Sequence, residues 1–109
     1  MPFDPGLSQR LDELLEGRKG FQKRKMFGGI GWLLNGNMCV GVYREWLIIR
    51  VGEAAAATLA GKRHVKPMDI TGKPMKGWLM VAPEGVEEDA NLARCAELAA
   101  GFVTTLPVK

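Results

Sequence analysis

Three features of this sequence predict an α+β fold, an antiparallel sheet with flanking helices. Asp4-Pro5 followed by Leu7, Leu11, Leu14 and Leu15 predicts an opening helix: an N-cap, a proline at the first turn and one apolar face. Asn35-Gly36 between two apolar runs predicts a tight hairpin, because both residues tolerate the positive φ of a type I′ turn. The acidic stretch Glu84–Asp89 precedes Leu92, Cys95, Ala96, Ala99 and Val103 at helical spacing, which predicts a closing helix with acids at its positive end. At 109 residues the chain has room for a single domain, residues 1–109.

The remaining elements follow in order. Gly17 stops the first helix. Gln22–Phe27 reads as a short strand, and Ile30–Leu34 pairs with Met38–Tyr43 across Asn35-Gly36. Arg44-Glu45 turns the chain into Trp46–Val51, rich in β-branched and aromatic residues. Glu53–Ala60 has high helix propensity and ends at Gly61. Residues 62–76, punctuated by Pro67, Gly72 and Pro74, form a basic loop with a short strand near Met68–Ile70. Trp78–Ala82 is a strand stopped by Pro83. Leaving the short Gln22–Phe27 segment out, the order is α-β-β-β-α-(β)-β-α, with no internal repeat and no linker.

The composition, 47% hydrophobic and 25% charged, excludes a disordered tail and a fibrous repeat. A net charge of +3 is too small to announce a nucleic-acid binder, but it is unevenly spread. Residues 1–25 hold six basic and four acidic side chains, 44–76 seven and three, and 77–109 two and five. Met26–Tyr43 carries no charge over 18 residues, yet its five glycines and the Asn-Gly pair make it a hairpin rather than a membrane span. Two cysteines do not make a disulfide framework, and Met1-Pro2-Phe3-Asp4 lacks the features of a signal peptide. Reduced thiols and a cytoplasmic location are therefore expected.

Few residues suit catalysis. His64 sits among basic neighbours with no carboxylate near in sequence to orient it, and reads as a surface histidine. Ser8 falls in the first helix, without the sharp turn of a nucleophile elbow. Cys39 and Cys95 lie on apolar faces as small core residues, with no local positive partner to favour a thiolate. Two cysteines and one histidine do not supply a zinc site. The glycines of Gly28-Gly29-Ile30-Gly31 lead into a strand, whereas phosphate loops lead into a helix, so they read as a bend or bulge. No catalytic residue, metal or cofactor is expected, and the protein is expected not to be an enzyme.

Two basic segments are the candidate contact surfaces. Arg18, Lys19, Lys23, Arg24 and Lys25 put five positive charges in eight residues around Phe21, and Lys62 and Arg63 open the basic loop. Such a run is a solvated or edge-protecting face, a surface for an acidic protein, or a phosphate-binding patch. Trp32, Trp46 and Trp78 all fall on strands and read mostly as packing residues, with Trp46, just after a turn, the one expected to be exposed.

The run Arg24-Lys25-Met26-Phe27-Gly28-Gly29-Ile30-Gly31 resembles the N-terminal domain of the TfoX/Sxy family, bacterial proteins associated with DNA-transformation competence. Gly36 and Met38 in the hairpin, Leu47-Ile48-Ile49-Arg50-Val51, and Pro83-Glu84 before an acid-capped helix continue the likeness over roughly residues 10–105. It implies a compact α+β domain similar to the secretion chaperone-like fold, with Met26, Phe27, Gly28, Gly29, Gly31, Gly36 and Pro83 in structural roles. Larger family members regulate competence-gene expression and carry a second, helical C-terminal domain; with an end at Lys109, the resemblance implies the first domain alone. Relatives often place paired tyrosines where this chain has Trp78-Leu79. The function implied is a non-enzymatic regulatory or protein-interaction domain, with nucleic-acid binding through residues 18–25 and 62–76 as the alternative. Expected partners are a protein or a second copy of the chain in a homodimer, with nucleic acid the alternative and no membrane.

Overall fold

The computed structural model describes residues 4–26, 29–69, 72 and 75–108. Helix α1, Pro5–Leu15, begins as its sequence dictates: the Asp4 carboxylate accepts from the amides of Gly6 (2.9 Å) and Leu7 (3.5 Å). Gly17, at φ +78°, takes the left-handed turn that ends it. Strands β1 (Phe21–Met26), β2 (Gly29–Leu34), β3 (Asn37–Tyr43) and β4 (Trp46–Arg50) form a meander. Asn35 (φ 54°) and Gly36 (φ 86°) make the β2–β3 turn in the predicted left-handed conformation. Helix α2, Glu53–Leu59, then β5 (Val65–Met68), β6 (Met75–Val81), a 3-10 turn at Pro83–Val86 and helix α3 (Asp89–Val103) complete the chain.

The sheet is antiparallel throughout, in the order β1-β2-β3-β4-β6-β5. The predicted order of elements holds, with Phe21–Met26 a full edge strand. Several boundaries differ from expectation, among them that of β6, which starts at Met75 rather than Trp78. The strand predicted near Met68–Ile70 is Val65–Met68; Pro67 is accommodated because β5 is an edge strand, where its missing N–H costs no ladder bond on the outer side. Ile70, like Lys73 of the basic loop, lies outside the described residues. The closing helix starts at Asp89, the last residue of the predicted start, and the residues before it, Pro83–Val86, wind as a 3-10 turn that buries Val86. Arg10 holds that turn, donating to the Val86 carbonyl at 2.7 Å and pairing with Asp89 at 3.1 Å.

The pleat divides the sheet into two unlike faces. One face packs on the helices: Leu7, Leu11 and Leu15 of α1 and Leu92, Ala99 and Val103 of α3 meet Trp32, Val42, Leu47, Ile49, Leu79 and Val81. Burying each of the larger side chains contributes about 1.5–3 kcal/mol. The other face carries a smaller cluster, Ile48, Met68 and Met80, with Tyr43, Trp46, Met75 and Trp78 packed on it. Among the described residues that second cluster draws on strands alone.

Candidate functional site

Charge is segregated by layer. The six strands contain Lys23, Arg24, Lys25, Arg50, Lys66 and Lys76 and no acidic residue, whereas the helices and the 3-10 turn contain six acids and two arginines. The sheet is thus the positive side of the molecule. The two basic segments singled out in the sequence lie at its two opposite edges, β1 and the approach to β5, about 24 Å apart at the usual strand spacing.

Within the first segment the side chains divide between internal and external work. Arg18 pairs with Glu97 of α3 and lies over the Phe21 ring at 5.4 Å. Lys23 pairs with Asp12 of α1 at 2.7 Å and lies over Trp32 at 5.6 Å. Both therefore tie β1 to the helix layer. Lys19, Arg24 and Lys25 are exposed and enter no ion pair among the described residues. Lys62 and Arg63 are exposed in the turn after α2.

The open face holds groups that sequence reasoning treated separately. Arg24, Gly31, Gly41, Ile48, Met80 and Lys66 are successive cross-strand partners, so one row runs over all six strands with a cation at each end. On either side of this row lie half-buried aromatic rings, each under a cation: Lys66 over Trp46 (4.8 Å), Arg50 over Trp78 (5.2 Å) and Arg44 over Tyr43 (5.4 Å). Of the three tryptophans, Trp32 is buried against the helices, as expected for packing. Trp46 and Trp78 face the other way. The signal was present as the two-residue alternation Trp46, Ile48, Arg50, but which face stays uncovered is set by where the helices dock.

The model of the TfoX N-terminal domain matches residues 13–103. This chain belongs to the TfoX N-terminal domain family. No curated protein and no solved structure matches it. The match spans the region from α1 through α3, and the family-motif residues fall at the join of β1 and β2. Met26 pairs with Gly29 in the ladder; Phe27 and Gly28 lie outside the described residues. A Cβ on Gly29 would stand 2.1 Å from the Val42 carbonyl oxygen, so this TfoX domain needs glycine there for close backbone approach. Gly31 faces Gly41 across the β2–β3 pair, Gly36 supplies the hairpin turn, and Pro83 opens the 3-10 turn. The bend predicted at the glycines falls in part on Phe27 and Gly28, outside the described residues; a separate register shift in the β2–β3 pair lies at Trp32/Leu33, where Cys39 is the extra residue.

The potentially reactive groups of this TfoX domain are built into its packing. Cys39 is fully buried, and burial pushes its thiol up to about 12; the positive fields of Arg18 and Arg50 oppose this only in part. These two cations are distant from Cys39 in the chain, so local reading could not reveal them. Burial also raises the Cys95 thiol. His64 is half-buried at φ 68°, and its carbonyl accepts from Ala82 at 2.8 Å. Ser8 is buried on α1.

Proposed function

We propose that this TfoX domain is a non-enzymatic regulatory module that binds an acidic protein segment along edge strand β1. The observation that carries the reading is a terminal strand whose free cations, Lys19, Arg24 and Lys25, stand beside an unpaired backbone edge. A row of lysines and arginines repels a second basic edge, which prevents indiscriminate sheet-to-sheet pairing. An extended acidic segment meets no such repulsion. It gains main-chain hydrogen bonds by adding as a seventh strand, with charge complementarity selecting it. The acidic stretch Glu84–Asp89 of a second copy has the right sign and is one candidate occupant. The burial of Cys39 and the half-buried positions of Cys95 and His64 support a binding role over a chemical one.

The test is capture from nuclease-treated lysate by the wild type and by a Lys19→Glu/Lys25→Glu variant, with light scattering at two protein concentrations to register self-association. The reading requires a nuclease-resistant protein partner, or a concentration-dependent dimer, that the variant loses while keeping its circular dichroism. A partner retained equally by the variant refutes it.

A further inference from the structure

We infer that the helix-free face of the sheet is a binding platform for single-stranded nucleic acid. This goes beyond the proposed edge-strand contact, because it uses the sheet face, sharing only Arg24 with the β1 edge, and a different ligand chemistry. A single strand needs two things from a protein: flat apolar groups on which unpaired bases stack, and cations spaced to meet its phosphates. This face supplies both in alternation. Trp46 and Trp78 are half-buried, packed on Ile48, Met68 and Met80, with Lys66 and Arg50 lying over their rings; a base that stacks there takes the place of the cation, which moves to the phosphate. The two indoles stand four residue positions apart along the strand direction and one strand apart across it, since Trp78 is the partner of Arg50. At ordinary strand dimensions that is about 14 Å, enough separation for the bases of neighbouring nucleotides to use different rings.

The cations are set in the same register. Arg24 and Lys66 close the two ends of the central row, and Arg50 lies between Trp78 and the hairpin strands. Lys66 and Arg50 are each held over an indole, at 4.8 and 5.2 Å, so charge and aromatic plane are presented together. In the middle of the row Gly31 and Gly41 are buried and carry no side chain, so the cations stand at its ends. No strand residue on this face is acidic; Glu45 stands in the β3–β4 turn, Asp69 is 3.7 Å from Lys66, and Glu53 lines a groove with Trp78.

An acidic peptide would use the charges but not the paired rings. A duplex would keep its bases stacked and out of reach of Trp46 and Trp78. Single strands alone use every part of the surface.

The measurement is fluorescence anisotropy with labelled oligothymidylate and oligouridylate of about 15 nucleotides, near the upper end of known site sizes, with duplex DNA as competitor. The first two probes distinguish DNA from RNA as the source. If Arg24, Arg44, Arg50 and Lys66 each meet a phosphate, affinity falls roughly 50-fold between about 50 and 200 mM salt. An Arg24→Gln/Lys66→Gln variant, altered only at the ends of the row, should bind more weakly and fall by roughly sevenfold over the same range. Trp46→Leu should weaken binding at least about fivefold while Trp46→Phe retains most of it, which separates stacking from charge. The inference is overturned if neither oligonucleotide binds at the lower salt, if duplex competes as well as single strand, or if the salt slope of R24Q/K66Q matches the wild type. None of these outcomes bears on β1 strand addition, which is read by K19E/K25E.

Discussion

The buried Cys39 thiol makes stability fall with alkaline pH, by an amount that follows from its environment. Its side chain is inaccessible on β3, and desolvation moves its pKa from 9.0 to about 12. Below pH 9 the thiol is protonated in the folded and the unfolded chain alike, and it contributes no pH dependence. Between about pH 9 and 12 the unfolded chain releases this proton and the folded chain retains it. The unfolded state then binds fewer protons, so stability declines as pH rises, by about 1.36 kcal/mol per unit. From about pH 8 to about pH 10.5 the loss assigned to Cys39 is about 2 kcal/mol. The assay is a difference between two proteins, so that contributions from the rest of the chain cancel. Urea unfolding of the wild type and of Cys39→Ala is measured at both pH values under reducing conditions. The gap between the two proteins should shift by about 2 kcal/mol against the wild type, and Cys39 should resist thiol reagents until the chain unfolds. A gap that stays constant within about 0.5 kcal/mol would refute the reasoning, because it would mean that the folded thiol ionises as easily as the unfolded one.

Three further outcomes follow from the packing. Gly29→Ala forces a Cβ against the Val42 carbonyl and should cost at least about 1–3 kcal/mol in thermal or urea unfolding, with slowed formation of the β2–β3 pair. Asp4→Ala removes the cap of α1 and should cost about 1 kcal/mol, readable as a lower urea midpoint at unchanged slope. Asn37→Ala breaks the 2.9 Å bond from its side-chain amide to the Pro107 carbonyl. It should cost about 1 kcal/mol and raise amide exchange in residues 104–108, while β3 itself stays protected.

Much of the fold was legible because it is written in short-range chemistry. Asp4-Pro5, the Leu7/Leu11/Leu15 face, Asn35-Gly36 and the Glu53–Leu59 helix each depend on residues within a few positions of one another. Where long-range packing decided, local reading drifted: Pro83–Val86 winds as a 3-10 turn that buries Val86, and an edge position let Pro67 sit in a strand. The candidate site was legible only in pieces. The run Arg18–Lys25 looked uniform, yet Arg18 and Lys23 are spent on Glu97 and Asp12, partners 79 and 11 residues away. The tryptophans were visible, but not which of them the helices would cover.

By itself the sequence determined the element types, the turn chemistry, the family and the uneven charge, because each rests on residue identity and spacing. The tertiary structure decided which cations remain free, which thiol is silenced, and that Arg24 and Lys66 end one row with an indole on either side. The physical reason is that strand order and helix docking are long-range choices. They set which face of an alternating strand meets solvent, and only solvent-facing charge and aromatic surface is open to a partner.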